Sequence, residues 1–300
     1  MAREQNSSVP RAFWIPQSLS EHYRFGCATA TVFHTAAARS GMTAVSPAIV
    51  AVAALLAGGA VLAFGRSPWT APATGPWAVA GGAVVVAGRA GVYDSLVPPP
   101  SAAILLASVG TLAAAVWVGA GHLADDVTPT DRDRHLAAVG GGLSLVVVLS
   151  LVSHHSVPAF PLLWVVVVPV AAAVPAALGY VLAGFVVPDL LSEIRLSGLY
   201  AVGAVVFEGV ASAVADRVFA VDPDGVVTPL VTAALEATPA APTWWLLVAG
   251  HLVFGLTLAA ACARLARWRR ALGHAGVLVV AVLAAWAGTV VLLSAVISNV

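Results

Sequence analysis

Charge is what this 300-residue chain has least of. Only 9% of its residues are charged and 60% are hydrophobic, whereas an average soluble globular domain carries about 25% charged residues. The mean hydropathy is +0.95. So few charges cannot coat a surface that faces water. The composition therefore excludes a cytosolic enzyme, a disordered chain and a nucleic-acid-binding protein, and it favours an integral membrane protein.

Lysine is absent, since all 14 basic residues are Arg. This absence excludes chemistry through a lysine Schiff base and a phosphate-binding P-loop, which requires a lysine. Cysteine is also scarce. The chain has two, Cys27 and Cys262, and they lie far apart in the sequence. No Cys/His spacing typical of a zinc site occurs. We therefore predict neither a metal nor a cofactor.

Residues 1–41 differ from the rest of the chain, because they carry charges and no long apolar run. They also lack the basic start, apolar core and small-residue cleavage site of a signal peptide. Two interpretations stay open, a polar N-terminal segment and a translation start at Met42. In both, the transmembrane domain is predicted over residues 42–300.

From Thr43 onward the apolar runs are almost continuous and are separated by short polar stretches. A helix needs about 20 apolar residues to cross about 30 Å of hydrocarbon, and strands of a barrel would alternate over about 10 residues. We predict an all-α, polytopic transmembrane helix bundle of about eight helices. The predicted spans are 45–65, 76–93, 101–122, 135–153, 161–187, 197–219, 243–264 and 273–297.

The placement of arginine predicts the orientation of this bundle. Loops after the first, third, fifth and seventh spans carry Arg, whereas those on the opposite side are nearly free of it. We expect the Arg-rich loops to face the cytoplasm of a multi-pass cell-membrane protein, with both termini outside. One compact cluster is expected to fix the topology and to contact anionic headgroups of the lipid bilayer. It consists of Arg264, Arg267, Arg269 and Arg270.

Some polar side chains interrupt the predicted spans, where a charge at a helix centre costs about 2.5–3.5 kcal/mol. Glu208 lies near the middle of the sixth span. Positions four apart lie on one face of a helix. Glu208, Ser212 and Asp216 are therefore predicted to form a single polar stripe along an otherwise apolar helix.

Two residues of other spans complete the candidates. Arg89 lies about one turn from the end of the second span, where it either reaches the headgroups or pairs with Glu208 or Asp216. His251 lies about two turns into the seventh span, and an imidazole is a pH-sensitive group. Neither residue belongs to a recognisable catalytic motif.

Three stretches of sequence carry a family resemblance. They are PWAVAGGAVVVAGRAGVYDSLVPPPSAAI at 76–104, FEGVASAV at 207–214 and WAGTVVLLSAV at 286–296. Together they resemble an archaeal family of integral membrane proteins, the domain-of-unknown-function family sixty-three. The resemblance implies a shared helical fold over 43–300 and an archaeal membrane, and it implies no particular reaction. It also points to Ser212 and to Glu208, which stands where the family usually carries Asp.

Three classes of function stay open. A transporter or permease-like protein for a small solute or ion would line a polar cavity with Glu208, Ser212, Asp216, Arg89 and His251. A membrane-embedded enzyme acting on a lipid or isoprenoid would use Glu208 and the histidines. A structural or accessory subunit would use the same polar groups only to lock its helices together. No catalytic residue is predicted.

Overall fold

The computed structural model describes residues 69–95, 101–122, 128–223, 225–236 and 243–299. Every regular element in these ranges is a helix. The predicted first span, 45–65, and the boundary near Met42 lie outside the described residues. In chain order the helices are α1 (Thr70–Arg89), α2 (Ala102–His122), α3 (Pro129–His155), α4 (Ala159–Val186), α5 (Pro188–Leu191), α6 (Arg195–Arg217), α7 (Thr228–Glu236), α8 (Trp244–Trp268) and α9 (Arg270–Ser298).

The predicted class, an all-α helical bundle, is confirmed. Each predicted span from the second to the eighth coincides with one long helix, and most boundaries agree within a few residues. Five helices, namely α3, α4, α6, α8 and α9, are long and apolar enough to cross a membrane. The protein is therefore a multi-pass membrane protein. The particular membrane and the orientation of the bundle stay predictions.

Helices α6 and α9 form the centre of the bundle, because both are largely buried, whereas few residues of α3, α4 and α8 are buried. Helix α6 packs against α9, α8 and α4, and α9 also packs against α1. Small residues allow close approach of membrane helices. A Cβ added to Gly288 of α9 would lie 2.7 Å from the Phe207 ring and 3.0 Å from the Glu208 Cα of α6.

A second contact region joins α1 to α3 through hydrogen bonds. The Trp77 indole Nε1 donates to the Leu136 carbonyl at 2.8 Å, and the Ser144 hydroxyl donates to the Pro76 carbonyl. Gly140 of α3 lies directly under the indole, since an added Cβ would be 2.5 Å from Nε1. The glycine is therefore needed for Trp77 to reach its acceptor.

The Gly140→Ala variant should lower the free energy of unfolding by about 1–2 kcal/mol, because the added methyl group overpacks the site and displaces the Trp77 indole. Gly141→Ala is the matched control, since a Cβ there would meet nothing within 4 Å. Thermal unfolding of the detergent-solubilised protein measures both. Equal melting temperatures for the two variants would contradict this role of Gly140.

The largest difference from the predicted topology lies between α6 and α8. Residues 220–242 are predicted as a loop, but they contain α7. This helix has nine residues, which gives it a length of about 13 Å, less than half of the hydrocarbon thickness. Hydrogen bonds place the start of α7 beside Glu208 in the middle of α6. The chain therefore turns back into the bundle before α8 begins.

The Arg cluster occupies a tight connection between α8 and α9, which are separated by Arg269 alone. All four of its arginines are exposed. They lie at the opposite end of α8 from the α7 connection. Contact with anionic headgroups stays a prediction.

Candidate functional site: a buried polar cluster

Four polar side chains meet inside the bundle, and we call them the polar cluster. They are Glu208 and Ser212 of α6, Thr228 at the start of α7, and His251 of α8. Glu208, Ser212 and His251 are 0% exposed and Thr228 is 4% exposed. Polar groups buried among apolar helices are costly unless hydrogen bonds satisfy them, so the partners of each one decide what the cluster can do.

One oxygen of the Glu208 carboxyl group caps helix α7. Its Oε1 accepts hydrogen bonds from the backbone N–H groups of Val227, at 2.6 Å, and Thr228, at 3.2 Å. The first N–H groups of a helix have no acceptor within the helix itself, and the helix dipole places partial positive charge at this end. Glu208 therefore supplies the acceptor and the negative charge that a buried helix start requires.

The second oxygen of Glu208 is different. Oε2 is buried and has no hydrogen-bond partner. Within the described part of the chain, no cationic side chain forms an ion pair with Glu208. The carboxyl group is thus held by one oxygen, while the other is free to carry a proton or to accept a further hydrogen bond.

Hydroxyl groups connect the remaining members. Thr228 Oγ1 lies 2.8 Å from Ser212 Oγ and 3.3 Å from His251 Nε2, and His251 Nδ1 lies 2.8 Å from the Leu247 carbonyl. A carbonyl only accepts, so Nδ1 carries the proton of the neutral imidazole and Nε2 accepts from Thr228. Ser212 then donates to Thr228. This direction of donation follows from the bonding capacity of each group.

Two glycines leave room for this arrangement. A Cβ added to Gly225 would lie 2.5 Å from Glu208 Oε1 and 2.6 Å from Thr228 Oγ1. One added to Gly209 would lie 2.5 Å from Cγ of the His251 ring. Both positions are therefore closed to any larger residue while the cluster keeps its geometry.

The structure brings together three of the five residues that the sequence singles out, namely Glu208, Ser212 and His251. Asp216 is exposed near the end of α6 and pairs with the neighbouring Arg217 at 3.2 Å. Arg89 is exposed at the end of α1 and forms no ion pair with either carboxylate. The proposed stripe on α6 is therefore buried over its first two members and reaches solvent at the third.

Sequence reasoning missed Thr228, which links the other three. The available signal is the Thr-Pro pair at 228–229, since proline favours the first turn of a helix. Within the described ranges, no group of three or more His, Cys, Asp or Glu side chains is placed to hold a metal ion.

The fold and this cluster define a class: a multi-pass α-helical membrane protein with an acidic side chain at the buried start of a short helix. No family model, no curated protein and no solved structure matches the chain. The resemblance to the archaeal family stays a prediction. The functional assignment therefore depends on the chemistry of the polar cluster.

Proposed function

We propose that the protein is a proton-coupled carrier for a small solute, in which Glu208 takes up and releases the proton. The observation that supports this most is the carboxyl group itself. It is fully buried, no cation pairs with it among the described residues, and one of its oxygens has no partner. Ionisable groups inside membrane helices are functional candidates by default.

The surroundings of Glu208 suit both states of the carboxyl group. The ionised form is stabilised by two N–H groups and by the positive end of α7. The protonated form places no charge in the apolar interior. The proton can be carried by Oε2, which makes no hydrogen bond. A group with two tolerable states can alternate between them during a transport cycle.

The short helix α7 also favours a carrier. Many secondary transporters place their binding sites at the ends of interrupted helices near the bilayer midplane. Irregular backbone at that depth is tolerated when protein surrounds it, and Val227 and Thr228 are both buried. The start of α7 lies beside the middle of α6 and is enclosed by protein, an arrangement similar to such sites.

A second candidate is the structural or accessory role. The cap that Glu208 provides favours it, because the same two hydrogen bonds would fix α7 in a protein that moves no solute. The enzyme has less support, since His251 uses both ring nitrogens for hydrogen bonds within the bundle. Outside the cluster, we propose that the exposed Arg cluster holds the α8–α9 connection at the anionic surface of the cell membrane.

The carrier is tested in liposomes that contain the purified protein and a trapped pH-sensitive dye. A panel of small anionic, cationic, zwitterionic and neutral solutes is added outside, and proton movement is recorded for each. We expect one solute class to move protons through the native protein. Glu208→Gln should reduce this rate to that of protein-free liposomes, because an amide cannot take up the proton.

The matched control is Asp216→Asn, the same acid-to-amide change two turns further along α6. It should leave the rate unchanged, since Asp216 is exposed and lies outside the polar cluster. Undiminished proton movement in Glu208→Gln would exclude Glu208 as the coupling group. If no solute moves protons through the native protein, the accessory role is favoured instead.

A further inference from the structure

We infer that the solute is a small anion of the carboxylate class, and that it binds at the start of α7 in the position that the Glu208 carboxylate occupies here. This inference rests on the proposed carrier function and names its substrate class. In the present arrangement, Glu208 acts as an anion that the protein supplies to its own site. On protonation the Glu208 carboxyl group would move away from the N–H groups of α7, and the solute anion would bind them instead.

The groups around this position are suited to an anion. The N–H groups of Val227 and Thr228 point at Glu208 Oε1 at 2.6 and 3.2 Å, and they lie at the positive end of a nine-residue helix. Backbone N–H groups at a helix start are an established means of binding carboxylates and phosphates. The hydroxyl groups of Ser212 and Thr228 lie in the same buried space, and they keep its wall polar while their protons are donated within the cluster.

The unpartnered oxygen of Glu208 is an independent indication. Oε2 is fully buried and accepts no hydrogen bond, although an ionised carboxylate can accept about four. Most buried polar atoms have a hydrogen-bond partner, so this oxygen marks a position at which a proton or a further donor fits. Gly225 adds to this indication, because an added Cβ would overlap Oε1, so the space beside the anion is kept free of side chains.

Electrostatics then links the solute to the proton. A second anion cannot approach an ionised Glu208 in a medium of low dielectric constant, because like charges repel strongly there. One proton from solution neutralises the carboxylate and frees the two N–H groups. The solute anion and the proton enter together and leave together, so each cycle with a monovalent anion moves no net charge.

Few other titratable side chains lie close enough to Glu208 to produce such a pH dependence. From α8, His251 faces the cluster through Thr228. Helix α4 contains no charged residue, and α9 presents Gly288 while its Arg270 lies at the first residue of the helix. On α1, Arg89 is exposed. Among the described residues, His251 is thus the one titratable side chain beside Glu208 in the cluster.

The test uses the purified full-length protein in detergent, with acetate as the probe and acetamide as its uncharged counterpart. Calorimetry across a pH series measures acetate binding, and a dye in weakly buffered solution measures proton uptake. We expect about one proton to be taken up for each acetate bound. At alkaline pH, where Glu208 is ionised, the affinity should then fall about tenfold per pH unit. Acetamide should not bind.

The Glu208→Gln variant separates this mechanism from the alternatives. It removes the competing charge, so acetate should bind without proton uptake and with an affinity that no longer depends on pH. Asp216→Asn should behave like the native protein. Proton uptake that persists in Glu208→Gln would assign the effect to His251 and would overturn the exchange at α7, as would equal binding of acetate and acetamide.

The two proposals fail in different ways. If Glu208-dependent proton movement in liposomes is driven by a cationic or neutral solute, and acetate does not bind, the carrier stands and the anion site is wrong. If acetate binds with proton uptake and no carboxylate moves protons through the liposomes, the anion site stands and the carrier is wrong.

Discussion

The Glu208→Leu variant should lose about 2–6 kcal/mol of its free energy of unfolding, enough to prevent accumulation of folded protein. The substitution removes the acceptor of two buried N–H groups, those of Val227 and Thr228. A buried donor left without a partner costs about 1–3 kcal/mol. A leucine side chain offers no acceptor to either of these two donors.

Glu208→Gln provides the comparison, because its amide oxygen can accept both hydrogen bonds as long as no anion is bound, although a neutral amide holds them less strongly than a carboxylate. We expect it to lose no more than about 1 kcal/mol, within the ordinary range for a change that preserves shape. Unfolding in mixed micelles of increasing denaturing-detergent fraction measures both variants. If Leu is tolerated as well as Gln, the cap on α7 contributes little, and the start of this helix must be stabilised in another way.

The fold was largely predictable because hydrophobic length is a strong signal. The predicted span 197–219 became Arg195–Arg217, and 273–297 became Arg270–Ser298. A stretch of about 20 apolar residues allows few alternatives to a membrane helix. Helix α7 was missed because its nine residues are too few to be recognised as a membrane span.

The polar cluster was predictable only in part. Polar groups are rare in such spans, so Glu208, Ser212 and His251 stand out. The spacing along one helix shows which residues share a face, but it does not show how deeply each one is buried. Asp216 has the correct spacing and is nevertheless exposed near the end of α6. The N–H groups of Val227 and Thr228 could not be predicted, because every residue except proline carries such a donor.

The cluster also explains why an acid is tolerated at the centre of an apolar helix. A helix that starts inside a bundle needs acceptors and negative charge at that point, and an acid buried there needs donors. Glu208 and α7 meet each other's requirement. In the proposed carrier, protonation of Glu208 weakens both of these hydrogen bonds at once and so couples the charge of Glu208 to the start of α7.

The second large loss of stability is expected from a substitution at the contact between α6 and α8. In Gly209→Ala, the added Cβ would lie 2.5 Å from Cγ and 2.8 Å from Cβ of His251. These atoms are close to the backbone of α8 and cannot swing aside as the tip of a long side chain could. Overpacking of this kind costs about 1–3 kcal/mol and occasionally more, and here we expect a loss of about 3 kcal/mol.

Gly203→Ala is the matched control on the same helix, because a Cβ there would meet nothing within 4 Å. Replacement of a helical glycine by alanine in open space should be neutral or stabilise by about 0.5–1 kcal/mol. The Gly209 variant should also move His251 Nε2 away from Thr228 and thereby weaken the hold on the start of α7. Proton uptake and thermal unfolding should be measured on both variants. In Gly209→Ala we expect both the proton uptake and the melting temperature to fall. In Gly203→Ala we expect unchanged proton uptake and at most the small gain in stability. A Gly209 variant as stable as the Gly203 variant would mean that α6 and α8 do not approach each other as closely as the polar cluster requires.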